Sequence, residues 1–211
     1  MMQWLQDKLP EPRVLCFEKQ NGKKYLLMTK ISGTISYDDK YMKNPEQLTS
    51  ILAEGIQMLW KVDIADCPDH CDLDKRLQRA KYNVENNLVD WDNAEPDTFG
   101  ENGLKNPKQL LEWLIQNRPK EELVLSHGDF CLPNIFINGG KISGFIDLGK
   151  TGIADKWQDI ALCYHSLKHN FDGKYTKRIY EGLESDRLYE RLGVTPNWNK
   201  IRYYILLDEL F

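Results

Sequence analysis

Apolar residues recur every three to four positions through most of the chain, which is the spacing of amphipathic helices. A helix that begins at Asn44-Pro45 shows the pattern clearly, because an Asn followed by Pro is typical of a helix start. Its apolar face consists of Leu48, Ile51, Leu52, Ile56 and Leu59. The same spacing predicts further helices over 73–88, from 106 to 114, and over 155–167, 174–192 and 198–210. Most of the chain after residue 44 is therefore predicted to be helical.

Two short hairpins interrupt this helical pattern. Strand-like runs at 14–17 and 25–28 are joined through Asn21-Gly22, and runs at 135–137 and 142–146 are joined through Asn138-Gly139-Gly140-Lys141. Such Asn-Gly and Gly-Gly pairs suit tight hairpin turns because they tolerate positive φ angles. Before the first hairpin, helically spaced apolar residues run from the start of the chain to Pro10 without a capping residue.

The second hairpin carries polar residues at both of its ends. Asp129, Asn134 and Asp147 follow one another in the spacing in which protein kinases carry a catalytic Asp, a metal-binding Asn and a second metal-binding Asp. The first motif reads His-Gly-Asp rather than His-Arg-Asp. The pattern predicts a phosphoryl-transfer centre.

Hairpin geometry explains how these residues would meet. Asn134 enters the first strand and Asp147 leaves the second, so their side chains emerge at the same end of the ribbon. An amide oxygen and a carboxylate suit Mg²⁺, which prefers oxygen ligands. Asp129 would accept the proton of an attacking hydroxyl. The alternative is an ordinary hairpin with solvated polar ends, but three such residues in this order favour the phosphoryl-transfer interpretation.

Composition excludes several classes of partner. The chain has 211 residues, with 28 Lys and Arg against 32 Asp and Glu, which gives a net charge of −4. Without a basic tract there is no electrostatic reason to expect binding to nucleic acid or to an anionic membrane. No apolar run reaches membrane-spanning length, and the first residues do not resemble a signal peptide. We expect a cytosolic protein of one large domain, or one domain with part of another.

Five scattered cysteines favour reduced thiols, as in a reducing compartment. The segment Cys67-Pro68-Asp69-His70-Cys71 resembles half of a zinc site, but no second pair of ligands lies nearby in the sequence. We therefore interpret it as a loop between two helices.

Acidic residues cluster in two places. The loop over 90–105 contains Asp90, Asp92, Glu95, Asp97 and Glu101. The chain also ends on acid, with Asp208, Glu209 and the carboxylate of Phe211. A charge cluster alone usually marks a solvated face, but two of them beside a predicted kinase centre favour a polycationic substrate.

Several motifs together resemble the aminoglycoside 3'-phosphotransferases, the kanamycin kinases. They comprise Ser126-His127-Gly128-Asp129, Cys131-Leu132-Pro133-Asn134-Ile135, the segment 143–149, the segment 154–161 and the C-terminal segment 203–211. The resemblance covers essentially the whole chain. It implies an α+β, protein-kinase-like fold and transfer of the ATP γ-phosphoryl group to an aminoglycoside hydroxyl, which confers antibiotic resistance.

The resemblance also implies roles for individual residues. Asp129 would be catalytic, and Asn134 and Asp147 would bind Mg²⁺. Thr29 and Ile31 stand where the hinge of the family meets adenine. The substrate contacts would come from Lys150, which replaces the usual Arg, and from Asp208, Glu209, the Phe211 carboxylate, Glu95 and Asp97.

The chain departs from the family pattern in one helix. After Asp159-Ile160-Ala161 the family carries acidic drug contacts, whereas this chain has His165 and His169, one helical turn apart. A metal site is one interpretation of this pair, but we favour a partly exposed helix face.

A second departure concerns the nucleotide lobe. Kinase-like enzymes hold phosphates with a flexible loop, a strand Lys and a helix Glu, and the segment before residue 31 shows no such pattern. The resemblance thus implies a truncated N-terminal lobe at 1–31, including the hinge, and a mainly helical C-terminal lobe at 32–211. We expect weak transferase activity from this chain, and the alternatives are a non-catalytic binder of cationic aminoglycosides or a kinase for another small alcohol.

Overall fold

The computed structural model describes residues 1–90, 94–95, 98–99 and 103–211. It contains short helices and a small amount of sheet, in agreement with the predicted α+β class. The strands are β1 (Val14–Gln20), β2 (Lys23–Met28), β3 (Thr34–Ile35), β4 (Leu123–Ser126), β5 (Ile135–Asn138), β6 (Lys141–Phe145) and β7 (Gly152–Asp155). The helices are α1 (Met2–Leu5), α2 (Asp39–Met42), α3 (Pro45–Trp60), α4 (Leu73–Glu85), α5 (Pro107–Gln116), α6 (Lys156–Phe171), α7 (Asp186–Leu192) and α8 (Trp198–Asp208).

Both predicted hairpins are confirmed. Strands β1 and β2 pair antiparallel through a turn in which Asn21 and Gly22 both have positive φ. Strands β5 and β6 pair through Gly139 and Gly140, again with positive φ at both positions, and β3 adds a third strand beside β5. Two central residues with positive φ are what a tight two-residue hairpin requires. Strands β4 and β7 form a separate antiparallel pair.

Polar side chains define where most of the long helices begin. Each of five helices starts with an Asn or Asp whose side chain accepts a hydrogen bond from a backbone N–H in the first turn, which satisfies a donor that the helix leaves free. These capping residues are Asn44, Asp72, Asn106, Asp155 and Asn197. The predicted helix starts near 44, 73, 106, 155 and 198 are confirmed.

The predicted helix over 174–192 is wrong in its first two thirds. Only the segment Asp186–Leu192 is helical. Residues Gly173, Lys177 and Gly182 all adopt positive φ, which a right-handed helix does not allow. The residues before Asp186 therefore form irregular chain, from which Tyr180 and Leu183 pack against the core.

A continuous apolar core joins the helices to the second hairpin. It includes the buried face of α3, residues of α6 and α8, and three hairpin residues, Ile135, Ile137 and Phe145. The first hairpin contributes no residue to the core among those described, and its apolar side chains are exposed. The described residues include no helix that is long and apolar enough to cross a membrane. The division into lobes at residue 31 stays a prediction.

Candidate active site

Asp129 lies on a loop that leaves strand β4 and is fixed by its backbone. Gly128, one residue earlier, has φ +84°, and a Cβ at this position would lie 2.1 Å from the carbonyl oxygen of Lys150. Only glycine fits such a close approach without displacing the backbone. Thr151 reinforces the contact, because its hydroxyl donates to the His127 carbonyl at 3.0 Å.

The buried carboxylate of Asp159 anchors the same loop from helix α6. It accepts hydrogen bonds from the backbone N–H groups of His127 at 2.8 Å and of Gly128 at 3.1 Å. Burial raises the pKa of Asp159 to about 6, although these hydrogen bonds act in the opposite direction. Since both donors precede Asp129, this carboxylate positions the loop rather than a reacting group.

His127 is a second internal support of the loop. Its ring is buried, and Nε2 lies 2.9 Å from the carbonyl oxygen of Ile146, just before Asp147. Burial lowers the pKa of His127 to about 4, although the nearby carboxylates oppose this shift. The neutral imidazole therefore links the two halves of the site, the Asp129 loop and the Asp147 end of the hairpin.

The Asp129 side chain is partly exposed and faces a cation. Its Oδ2 lies 3.7 Å from Lys150 Nζ, and its Oδ1 accepts a hydrogen bond from Cys131 Sγ at 3.3 Å. Burial raises the pKa of the Cys131 thiol, with a further contribution from Asp129, so the thiol stays protonated and acts as a donor. An exposed, oriented carboxylate of this kind can accept a proton from a bound hydroxyl.

Asn134 and Asp147 emerge at the same end of the second hairpin, as the sequence predicts. The Ile146 N–H donates to the carbonyl of Asn134 at 3.0 Å, which brings the two positions side by side. Asn134 Nδ2 donates to the Asp129 carbonyl at 3.0 Å. Asp147 has a left-handed backbone, with φ 57° and ψ 51°. Strained non-glycine residues of this type often occur at functional sites.

A cleft of about 460 Å³ lies beside Asp147 and extends to strand β2. Its lining includes Leu26, Met28 and Asp147. The predicted adenine contacts Thr29 and Ile31 follow the end of β2. Thr29 is hydrogen-bonded to Arg13, and Ile31 packs over Gly144. Neither is among the residues that line the cleft.

The C-terminal residues lie next to the catalytic loop. Asp208 Oδ1 is 3.3 Å from Arg76 Nη2 and 3.9 Å from Lys150 Nζ. The Arg76 guanidinium also lies over the Phe211 ring at 4.6 Å and donates to the Gly128 carbonyl at 3.4 Å. Arg76 therefore ties the end of the chain to the loop that carries Asp129. A second cavity of about 460 Å³ opens beside Arg76, Lys150 and Phe211.

The acidic loop meets the end of α8 through Glu95. Glu209 Oε1 accepts a hydrogen bond from the Glu95 N–H at 3.0 Å and another from the Thr98 hydroxyl at 3.4 Å. Burial raises the pKa of Glu209. For Glu95, burial acts against ionisation, but the Lys174 ammonium and two histidines hold its pKa below the ordinary value. Asp97 lies outside the described residues.

His165 and His169 both face Glu95. The prediction of a partly exposed helix face agrees with His165, whose side chain is 21% exposed, and is wrong for His169. Their rings are 4.4 Å apart on α6, and His169 is buried. Burial lowers the pKa of His165, and the neighbouring His169 adds to this effect. Cys67 and Cys71, by contrast, lie in the loop between α3 and α4, where Cys71 N–H donates to the Ile153 carbonyl at 2.8 Å.

Two residues that hold the site in place, Asp159 and Arg76, were not among the candidates predicted from the sequence. Asp159 belongs to the Asp-Ile-Ala motif, which could have drawn attention to it. Its hydrogen bonds to the backbone of His127 and Gly128 could not be predicted, because they depend on the fold. Arg76 gives no signal, because one Arg on an amphipathic helix is indistinguishable from a solvated charge. Its contact with Asp208 joins residues 132 positions apart.

Comparison with known proteins agrees with this geometry. The profile of the phosphotransferase enzyme family matches residues 1–194. The aminoglycoside 3'-phosphotransferase of Enterococcus faecalis is 44% identical over 216 residues, which cover 100% of this chain and 76% of the relative.

Solved structures give the same result. The crystal structure of aminoglycoside-3'-phosphotransferase of type VIII superposes with a TM-score of 0.87 at 25% identity, covering 100% of this chain and 77% of that protein. An aminoglycoside phosphotransferase from Streptomyces rimosus, in complex with ADP and streptomycin, gives a TM-score of 0.83 at 25% identity, covering 99% and 79%. The chain belongs to the phosphotransferase enzyme family and, within it, to the aminoglycoside 3'-phosphotransferases.

Proposed function

We propose that this chain is an aminoglycoside O-phosphotransferase that moves the γ-phosphoryl group of ATP to a drug hydroxyl and so confers resistance. The observation that carries the proposal is the convergence of Asp129, Asn134 and Asp147 at one end of a buried hairpin. The names of the relatives supply the substrate class, since the Enterococcus faecalis protein is an aminoglycoside 3'-phosphotransferase.

In this proposal Asp129 is the catalytic residue. It accepts the proton of the attacking hydroxyl as the hydroxyl oxygen bonds to the γ-phosphorus. The bond between the γ-phosphorus and the bridging oxygen breaks, and ADP leaves. Lys150 Nζ lies 3.7 Å from Asp129 Oδ2, so its positive charge would be next to the reacting groups.

Asn134 and Asp147 fit a magnesium site. The Asn134 amide nitrogen is engaged by the Asp129 carbonyl, which leaves the amide oxygen for a cation. Among the described residues the Asp147 carboxylate has no hydrogen-bonded partner, and it borders the cleft. Bound Mg²⁺ would neutralise charge on the phosphates. ATP would occupy the cleft beside β2, with Thr29 and Ile31 at the adenine end.

Carboxylates around this centre suit a substrate with several ammonium groups. Asp208 and Glu209 lie at the end of α8, and Glu95 faces them from the loop, with Asp97 nearby in the sequence. The Phe211 carboxylate completes the set. Arg76 and Lys150 partly balance Asp208, and Lys174 partly balances Glu95. We therefore expect Glu209, which forms no ion pair among the described residues, to provide much of the attraction.

The test measures phosphate transfer and substrate choice together. Kanamycin, choline and simple sugars are each incubated with the 211-residue chain, ATP and Mg²⁺, and products are identified by mass spectrometry. A second protein joins this chain to the segment of the Enterococcus faecalis relative that precedes the matched region, and is called the extended chain below.

We expect a singly phosphorylated kanamycin from the extended chain and much slower transfer from the 211-residue chain. Phosphoryl transfer depends on positioned phosphate contacts, and each lost contact costs about 10²–10³ in rate. Phosphorylation of choline or a sugar but not of kanamycin would indicate a kinase for another small alcohol. Saturable kanamycin binding without transfer by either protein would indicate a non-catalytic binder.

A further inference from the structure

We propose that Glu95, His165 and His169 form a Zn²⁺ site on the inner face of helix α6. Each of the three residues offers one ligand atom, and these atoms all lie within 4.8 Å of one another. Two histidines spaced i, i+4 on one helix face are a common zinc-binding arrangement, and a carboxylate is a usual third ligand.

Distances within the cluster match the edges of a zinc coordination sphere. Glu95 Oε1 lies 3.2 Å from His165 Nε2 and 3.4 Å from His169 Nε2. Ligand atoms about 2.0–2.1 Å from a tetrahedral Zn²⁺ lie about 3.3 Å from each other. Both distances from Glu95 Oε1 to the histidine nitrogens therefore match the edges of a tetrahedral zinc site.

The hydrogen bonding of His169 orients its ring toward the same point. Its Nδ1 lies 3.1 Å from Asp172 Oδ2, and since a carboxylate only accepts, Nδ1 carries the hydrogen. The hydrogen bond with Asp172 turns the other ring nitrogen, Nε2, toward Glu95 Oε1 at 3.4 Å. This carboxylate–histidine pairing is the arrangement that orients histidine ligands in zinc sites.

His165 supplies an independent indication. Its Nε2 is buried and makes no hydrogen bond within the described part of the chain, although Glu95 Oε1 is close. Buried polar atoms without a partner are rare, and a bound ion is one of the ways in which proteins satisfy them. A metal ion would satisfy both imidazole nitrogens and Glu95 Oε1 at once.

The ion pair between Lys174 and Glu95 does not use the oxygen of Glu95 that faces the histidines. Lys174 Nζ donates to the other oxygen of Glu95, Oε2, so Oε1 is free for a metal. Two nitrogen ligands and one oxygen ligand favour Zn²⁺ over Mg²⁺, which prefers an all-oxygen set. The fourth position would be taken by water.

The test measures Zn²⁺ binding to the metal-free 211-residue chain by titration calorimetry, with no nucleotide or drug present. Its result is therefore independent of the proposed transferase activity. We expect one Zn²⁺ per chain, and Co²⁺ bound in its place should give the visible absorption of a tetrahedral site. His165→Ala and His169→Ala should each weaken binding by more than about 100-fold, and Asp172→Ala by about 10-fold.

His70→Ala is the matched control, because His70 is exposed and lies outside the cluster. The Zn²⁺ affinity of this variant should equal that of the parent chain. If His169→Ala does not fold, Glu95→Gln tests the same site from a loop and should weaken binding at least about 10-fold. Absence of saturable Zn²⁺ binding to the folded chain would overturn the proposal. Binding that survives His165→Ala but is lost in Cys71→Ser would also overturn it and locate the ion on the loop between α3 and α4.

Discussion

The two hairpins of this protein follow the same local rules and have different surroundings. Both turn through residues with positive φ, and both strand pairs contain apolar runs. In the first, Phe17 is 59% exposed and Leu27 60% exposed. In the second, Ile135 and Phe145 are fully buried. Turn chemistry therefore specifies a hairpin, but only packing against the helices buries the second hairpin, which carries the candidate site residues at its ends.

This difference follows from where each hairpin is anchored. The β5–β6 hairpin packs against α3 and is continued by β3, so it is held on several sides. The first hairpin pairs mainly with itself, and isolated two-stranded ribbons are marginally stable in water. The site residues Asn134 and Asp147 accordingly belong to the second hairpin.

The largest expected difference between the hairpins is in the free energy of unfolding. Phe145→Ala removes a fully buried ring that packs beside Phe130 and His127, and should cost about 3–5 kcal/mol. Phe17→Ala, the matched change in the first hairpin, should cost less than about 0.5 kcal/mol. Urea unfolding followed by circular dichroism measures both. Equal costs for the two variants would show that the first hairpin also belongs to the core.

Acid should selectively weaken the support beneath the second hairpin. Folding lowers the pKa of His127 from 6.5 to about 4, so the unfolded chain takes up the proton first as pH falls. The stability that neutral His127 provides is complete above pH 6.5. As pH falls toward 4, about 3 kcal/mol of it should be lost.

Asp159 has the opposite pH dependence. Its folded-state pKa of about 6 lies above the ordinary 3.8, so its contribution is complete below pH 3.8 and is lost as pH rises through 6. Comparing the chain with His127→Gln cancels this effect. The stability difference between the two proteins should shrink from pH 7 to pH 4, and a constant difference would show that His127 is not held neutral.

Glycine substitutions sharpen the comparison at backbone level. Gly22 and Gly128 both have positive φ, but a Cβ at Gly22 meets nothing within 4 Å, whereas at Gly128 it would collide with the Lys150 carbonyl. Gly22→Ala should cost about 1 kcal/mol from backbone strain alone. Gly128→Ala should cost about 2–3 kcal/mol, because the loop must also move. Thermal unfolding checks both, and equal costs would argue against close packing at Gly128.

Local sequence signals predicted more of the site than of its surroundings. The Gly139-Gly140 turn, the helix caps and the spacing of Asp129, Asn134 and Asp147 all lie within short segments, so pattern and propensity suffice to identify them. The irregular chain before Asp186 carries helical spacing, but tertiary packing overrides it.

Contacts between distant segments could not be predicted from the spacing of apolar and polar residues. Arg76 meets Asp208, and His165 meets Glu95, across segments that share no periodicity. The exposure of the first hairpin is likewise a property of what lies beside it, which alternation of apolar and polar residues does not reveal.

We propose that Asp129 serves a phosphoryl-transfer centre built on the second hairpin. The most direct measurement is the rate of kanamycin phosphorylation by the extended chain and by its Asp129→Asn variant, which keeps the size of the side chain. We predict a fall in kcat of about 10²–10⁴, the usual contribution of a general base, with KM for kanamycin and ATP little changed. A variant that retains kcat within about tenfold of the parent would contradict the account.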